Sequence, residues 1–455
     1  MQLLRHPRLP PRLSVQRGVA ILVAAFAPPS DMDVHHHRRT AAAVVMMAST
    51  SSSSSPSDKL DRYARATGGP WSLEPAAALE RLVPELGNDR YKGQLGRVGV
   101  FGGSEDYTGA PFFASMSALR MGADLAYVFT AKEAAPALKA YSPELMVTPV
   151  YSGDMLTSGS ATGTRGDDKG DNESDSCSAA LARPIAESVS SRLPKLHSLL
   201  LGPGMGRHPT VIAAAAGIVA SARGRGLPLV LDADAIAMVV DDPETIRGCP
   251  LAVLTPNAHE FRLLCERMER DGGGEGGERP RHGEALQSPS GVGEARAAGG
   301  DVVTAAVTPA AATAAAARPP APPVPAADVA LKVERLARYL GGVTVVLKGK
   351  VDVISDGART VTCAVPGGLK RCGGIGDVLS GVTATALAWV HVQDFEGEEA
   401  KELRLWAAWW SCAMARRASR RAYEAKGRAT SATDVFENVG IVFAEVSPSP
   451  EVEDT

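Results

Sequence analysis

Arg371-Cys372-Gly373-Gly374-Ile375-Gly376-Asp377-Val378-Leu379-Ser380-Gly381 sets three glycines directly ahead of residues 378–389, an apolar run of helical length. Amides in the first turn of a helix have no partner inside it, and the helix dipole adds partial positive charge there. Glycine lets a phosphate come close to that backbone. Asp377 falls in the first turn, where a carboxylate can take the proton from a hydroxyl attacking the γ-phosphate. The same residues would also make a plain glycine-rich helix cap, since short glycine patterns recur without function.

Working outward, four further turns share the same context. Lys348-Gly349-Lys350-Val351-Asp352 follows the apolar run 343–347, so Lys348 stands at a strand's carboxyl end, where open parallel sheets bind ligands. Alone, the pair Lys348-Gly349 reads equally as a hairpin turn. Leu254-Thr255-Pro256-Asn257-Ala258-His259-Glu260-Phe261 leaves a strand and enters a helix. It offers Asn257, His259 and Glu260 to a cleft, or simply Asn257 as a helix N-cap. Leu201-Gly202-Pro203-Gly204-Met205-Gly206-Arg207 and Asp232-Ala233-Asp234 also follow strands. Each is a turn when taken singly. Together they can open on one edge of one sheet, which unrelated turns would do only by chance.

The strands behind these turns are short, apolar and bounded by Gly, Pro or Asp: 97–101, 125–129, 199–201, 229–231, 252–254 and 343–347. They alternate with helical patterns such as 112–121 and 403–421, which predicts an α/β fold with a doubly wound, largely parallel sheet and helices on both faces. Trp406, Trp409 and Trp410 sit at i, i+3, i+4 and are expected in the core. There is no GxxxxGK[ST] phosphate loop, and no GxGxxG follows the first strand.

The composition bounds the rest. Of 455 residues, 45% are hydrophobic and 22% charged, and the net charge of −3 gives no bulk reason to expect nucleic acid or a membrane as partner. No unbroken apolar run reaches the ~18 residues of a membrane span. Six cysteines without a CxxC pair suggest reduced thiols, and no metal ligands can be named. Residues 1–30 carry Arg5, Arg8, Arg12 and Arg17 and no acid, as organelle transit peptides do, with a short apolar run at 19–27. Residues 1–58 are therefore read as an organelle-targeting leader (plastid or mitochondrion) and Ser-rich linker; synthesis from Met46 or Met47 would instead leave a cytoplasmic protein. Residues 59–445 form the predicted catalytic domain and 446–455 an acidic tail. Residues 152–178 and 270–327 are poor in large apolar side chains and are expected to be disordered insertions.

Taken together, the motifs resemble a known family. Tyr91-Lys92-Gly93-Gln94-Leu95-Gly96-Arg97, Tyr107-Thr108-Gly109-Ala110-Pro111, Tyr141-Ser142-Pro143-Glu144-Leu145 and the five turns above are similar, in order, to those of the ATP-dependent NAD(P)H-hydrate dehydratases. The resemblance spans residues 86 to about 443 apart from the two insertions, and it implies a ribokinase-like fold. It implies that ATP drives dehydration of the S epimer of NADHX or NADPHX, giving NAD(P)H, ADP and phosphate. The nucleotide would lie on Lys348, Gly349, Lys350, Val351 and Asp352, and on Gly367, Gly368, Leu369, Lys370, Arg371, Cys372, Gly373, Gly374, Ile375 and Gly376. The hydrate would meet Gly204, Asn257, Ala258, His259, Glu260, Phe261, Arg262, Leu263 and Asp377, with Asp377 as catalytic base. Mg²⁺ is implied with ATP, a separate epimerase as functional partner, and a homo-oligomer as one possible assembly. Two alternatives stay open on the residues: a ribokinase-like kinase that stops at a phosphorylated product, and a non-catalytic nucleotide-binding protein.

Overall fold

The computed structural model describes residues 58–158, 171–272 and 327–447. The leader, the run His35-His36-His37, the triplet Arg165-Gly166-Asp167, the acidic tail beyond 447 and most of the second expected insertion lie outside the described residues.

Ten strands form one sheet: β1 (Ala64–Thr67), β2 (Arg97–Phe101), β3 (Leu125–Ala131), β4 (Leu145–Tyr151), β5 (Ser198–Leu201), β6 (Leu229–Leu231), β7 (Ala252–Leu254), β8 (Thr344–Leu347), β9 (Asp352–Ser355) and β10 (Thr360–Cys363). Their order is β1-β10-β9-β8-β7-β6-β5-β2-β3-β4. From β8 to β4 every pairing is parallel. β9, β10 and β1 then continue the sheet antiparallel. The doubly wound parallel sheet expected from the sequence is thus its larger part, and the antiparallel end was not foreseen. β5 to β8 are buried at every position, as strands with helices over both faces must be, which is why they read as unbroken apolar runs.

The α-helices, in chain order, are α1 (Pro75–Leu82), α2 (Gly109–Met121), α3 (Ala135–Tyr141), α4 (Gly153–Ser158), α5 (Asp171–Ser190), α6 (Pro209–Arg223), α7 (Asp234–Asp241), α8 (Ala258–Gly272), α9 (Ala327–Tyr339), α10 (Ile375–Val392), α11 (Gly397–Lys426), α12 (Ala432–Glu437) and α13 (Val439–Val446). α10 is central and packs on α2, α11 and strands β2, β5 and β6. Its closest approach is at Gly381, where a Cβ would lie 2.0 Å from the Ala114 carbonyl oxygen of α2. Only glycine permits that crossing. α10 runs three residues beyond the apolar stretch 378–389 at each end. By length and composition it could cross a membrane, but it is the buried core helix of this sheet.

The tryptophans of α11 behave as expected. Trp406, Trp409 and Trp410 are fully buried, and the Trp409 and Trp410 indole N–H groups donate to the carbonyls of Thr362 (3.0 Å) and Pro75 (2.9 Å). Removing one such side chain costs about 3–5 kcal/mol.

The insertions need correction at their edges. Residues 153–158 and 171–178 are helical, in α4 and α5, and Met155 and Leu156 pack against the core. α8 reaches Gly272 and α9 starts at Ala327, so the second interruption is also shorter than expected. Composition averaged over a window hides a few well-placed apolar residues.

Candidate active site

All five turns singled out in the sequence follow strands whose carboxyl ends lie on one edge of the sheet. The strand order reverses between β2 and β5, and loops from both meet there: the Gly103 amide donates to the Pro203 carbonyl (2.9 Å). A crevice at such a switch point is where open α/β sheets bind ligands. Beside it lies a cleft of about 600 Å³, lined from β6, β7, β8, the start of α10 and one face of α11.

Lys348 ends β8. Its Nζ donates to Asp232 Oδ1 (2.8 Å) at the end of β6, and the Asp232 side chain is almost wholly buried. Burial alone would lower the lysine's pKa, but Asp232, Glu260 and Asp377 outweigh it and hold the pKa above the ordinary value. Lys348 is therefore a fixed positive charge. The Lys348-Gly349 pair begins the hairpin turn between β8 and antiparallel β9, the plainer of its two readings, and it also lines the cleft.

Across the cleft, α10 begins at Gly374 with no side-chain cap. Its first-turn amides keep their hydrogen-bonding capacity and the dipole's partial charge. Gly376 opens onto the charged pair: a Cβ there would sit 3.5 Å from Lys348 Nζ and 3.9 Å from Asp232 Oδ2. Gly374 must be glycine for a different reason from the one read in the sequence. Its φ is +94°, and a Cβ would lie 2.6 Å from the Ala432 Cβ and 2.7 Å from the Phe113 ring. Protein packing excludes the side chain, whether or not a ligand is bound.

Asp377 follows in the same turn. Burial first, then the neighbouring Asp232 and Asp234, push its carboxyl up to about 7 against the pull of Lys348. A group titrating near neutral pH at a cleft wall has the acidity a general base needs. Glu260 is also raised, mainly by burial. Ala233, between the two aspartates of its turn, has φ +49° and ψ −117°, a strained geometry for a residue with a side chain.

The remaining expected residues divide. Asn257, Glu260, Lys348, Gly349, Lys350, Asp352, Gly367 and 371–377 line the cleft. Val351 is buried beside it, and Gly368, Leu369 and Lys370 fall outside its lining. Gly368 instead packs on α11, where a Cβ would be 2.5 Å from the Ser419 carbonyl, and Leu369 is exposed. Gly204 is backed by Tyr107, whose Cβ would be 2.7 Å from a Cβ at 204. Among 255–263, Phe261 belongs to the core. His259 and Arg262 contact each other on the exposed side of α8. Ala258 and Leu263 are also absent from the lining, because a helix start turns only some of its side chains toward any one wall.

Sequence reading passed over Asp232 and one face of α11. Asp232 was seen only as part of a turn; its pairing with a lysine 116 positions away is what makes it a site residue. Arg416 and Ser419 were read as part of a core helix, but they and Cys412 form the cleft's wall on α11.

Sheet, switch point and cleft define a ribokinase-like α/β protein. The fold agrees with the crystal structure of a ribokinase-like superfamily protein from Enterococcus faecalis, with TM-score 0.52 and 16% identity over 83% of this chain and 99% of that one. The model of the NAD(P)H-hydrate dehydratase family matches residues 98–286 and 325–439. The ATP-dependent (S)-NAD(P)H-hydrate dehydratase of Neurospora crassa is 38% identical over 375 residues, which is 81% of this chain and 92% of that protein. The protein of the same name from Homo sapiens is 32% identical over 368 residues, 81% of this chain and 83% of that protein. The chain belongs to the NAD(P)H-hydrate dehydratase family.

Proposed function

We infer that the protein repairs hydrated nicotinamide cofactor, using ATP to dehydrate the S epimer of NADHX or NADPHX to NADH or NADPH. One observation carries the reading: Asp377, poised near neutral pH, shares its helix turn with Gly376, which opens onto the Lys348–Asp232 pair. That puts a base, a fixed cation and an uncapped helix start around one point.

The chemistry follows. Asp377 takes the proton of the ring hydroxyl, whose oxygen attacks the γ-phosphorus; the bond to ADP breaks and ADP leaves. Phosphate is a far better leaving group than hydroxide. The ring nitrogen's lone pair expels it, and the neighbouring ring carbon loses a proton to restore the dihydropyridine. Uncapped amides of the α10 start and the Lys348 ammonium would stabilise the charge on the transferring phosphoryl group.

Nucleotide contacts are assigned to Lys348–Lys350, Asp352, Gly367 and 371–376, and hydrate contacts to Asn257, Glu260 and Asp377. Mg²⁺ fits this donor set. Asp232, Glu260 and Asp377 all lie close enough to Lys348 to act on its charge, three carboxyls around one lysine, and a cation could share them. No group of three or more metal-ligating side chains occurs among the described residues. An ATP-bound Mg²⁺ usually takes only one or two carboxylates besides the phosphates. When bound it would neutralise charge between the phosphates, with Asp232 and Glu260 as its protein ligands. The R epimer would need a separate epimerase. The Arg-rich, acid-free first 30 residues support delivery to an organelle.

The test is a coupled assay. ATP with NADHX or NADPHX should restore dihydropyridine absorbance while releasing ADP and free phosphate in equal amounts. ADP without free phosphate or reduced cofactor would mean a kinase that stops at its phosphorylated product.

A further inference from the structure

We propose that Arg416 is the positioning residue for the nucleotide, a single guanidinium on α11 that holds the two nucleotide-side segments of the cleft in register. The proposal rests on the ATP reading above.

The geometry is unusually complete. Arg416 Nε donates to Asp352 Oδ2 (2.6 Å) and Nη2 to Asp352 Oδ1 (2.7 Å), a bidentate pair at the first residue of β9. Nη2 also donates to the Gly349 carbonyl (2.8 Å), and Nη1 to the carbonyls of Lys350 (3.1 Å) and Val365 (3.2 Å). A guanidinium has five N–H donors, and all five are used within the protein. Arg416 therefore has no donor left for a phosphate, although it lines the cleft. It acts through what it holds.

Gly349 and Lys350 form the turn after Lys348, and Val365 lies two residues before Gly367. Asp352 reinforces the clamp by accepting from the Gly349 amide (2.9 Å). The β9–β10 ladder already pairs Asp352 with Cys363 but reaches no further; the guanidinium extends that link from Gly349 and Lys350 to Val365, and without it Lys348 would sit on a looser hairpin. The pair is nearly buried, with side-chain exposures of 13% for Arg416 and 7% for Asp352. The charge-assisted bonds are thus screened little by water. Lysine cannot replace the group, because an ammonium lacks the planar fork that reaches a carboxylate and three carbonyls together.

Two variants test this. Arg416→Lys keeps the charge opposite Asp352 and guards against loss of the fold. Arg416→Gln removes the guanidinium and leaves a side-chain amide with two N–H groups, too few to hold all of its acceptors. Displacing a binding segment in this way should raise KM for ATP about tenfold or more in each. KM for NADHX, and kcat at saturating ATP, should stay within about twofold. Both variants will also melt lower than the parent, which does not discriminate between roles. A purely structural role predicts lower melting with KM for ATP unchanged in the folded protein, and that result overturns the proposal. So does a fall in kcat with KM for ATP unchanged. Failure of the ATP reading is separable: the parent protein would then give no heat in a titration with a nonhydrolysable ATP analogue.

Discussion

Two helices begin at the mouth of the same cleft, and they begin differently. α8 starts at a closed capping box: Asn257 Oδ1 accepts from the amides of His259 (2.9 Å) and Glu260 (3.0 Å), while Glu260 Oε2 accepts from the Asn257 amide (2.8 Å). α10 starts at Gly374, which has no side chain to cap with. Both segments lead into a helix, and both looked equally like binding loops or plain caps in the sequence. The difference is where the first-turn donors go. At α8 the protein's own side chains use them up, so the segment can present side chains but few amides. At α10 no N-cap side chain takes them; Asp377's carboxyl bonds its own amide, and an anion beside the fixed lysine can take the others.

The sharpest break in this comparison is at Asp377, which belongs to the uncapped start. Asp377→Asn should keep ATP affinity and lower turnover at least about a hundredfold in the coupled assay. The same residue gives a pH signature. With its carboxyl held at about 7, kcat/KM should rise with pH through neutrality as the base is freed. Folding should show the opposite trend. The folded chain binds this proton more tightly than the unfolded chain, so the stability of the ligand-free protein falls as pH rises from about 4 to about 7. Asp377→Asn removes that slope. Melting curves should place the variant a few degrees above the parent at pH 8, with the gap closing toward pH 4. A gap that does not change with pH would remove the assignment of the shifted carboxyl.

The two glycines of the uncapped start separate ligand from packing. Gly376→Ala adds a methyl group in ordinary contact with Lys348 and improves helix propensity by about 1 kcal/mol. It should leave the protein as stable as before while weakening ATP binding roughly tenfold by calorimetry, since the methyl occupies the phosphate's approach. Gly374→Ala should do the reverse. Its strained φ and the clash with Ala432 and Phe113 predict a fall in melting temperature, with smaller losses of ATP affinity in whatever folds. Equal ATP affinities for the parent and Gly376→Ala would end the phosphate role of this turn.

The capped start should respond least. Asn257→Ala removes two cap bonds and should destabilise the protein by about 1 kcal/mol. KM for ATP should not move, and KM for NADHX should change only modestly. A large effect on ATP would mean that the two helix starts are less distinct than their caps imply.

How much of this could be read beforehand follows from what is local. β2, β3 and β5 to β8 were legible as apolar runs ended by Gly, Pro or Asp, whereas β1, β4, β9 and β10 carry polar residues or proline within them and were not. Lys348 at a strand's carboxyl end, Asp377 in a helix's first turn and the tryptophan stripe of α11 all follow from position within one element. The sequence by itself thus determined the class of fold, and it pointed to the edge of the sheet and to the carboxylate proposed above as the base. Tertiary structure decided which residues those groups would face. Asp232 meets Lys348, and Arg416 meets Asp352, only because β6, β8, β9 and α11 are brought together, across 116 and 64 positions of chain. It also decided that β9, β10 and β1 extend the sheet antiparallel, and that one helix start is closed while the other stays open. No periodicity encodes such pairings. They depend on distance in space, and a linear pattern records only distance along the chain.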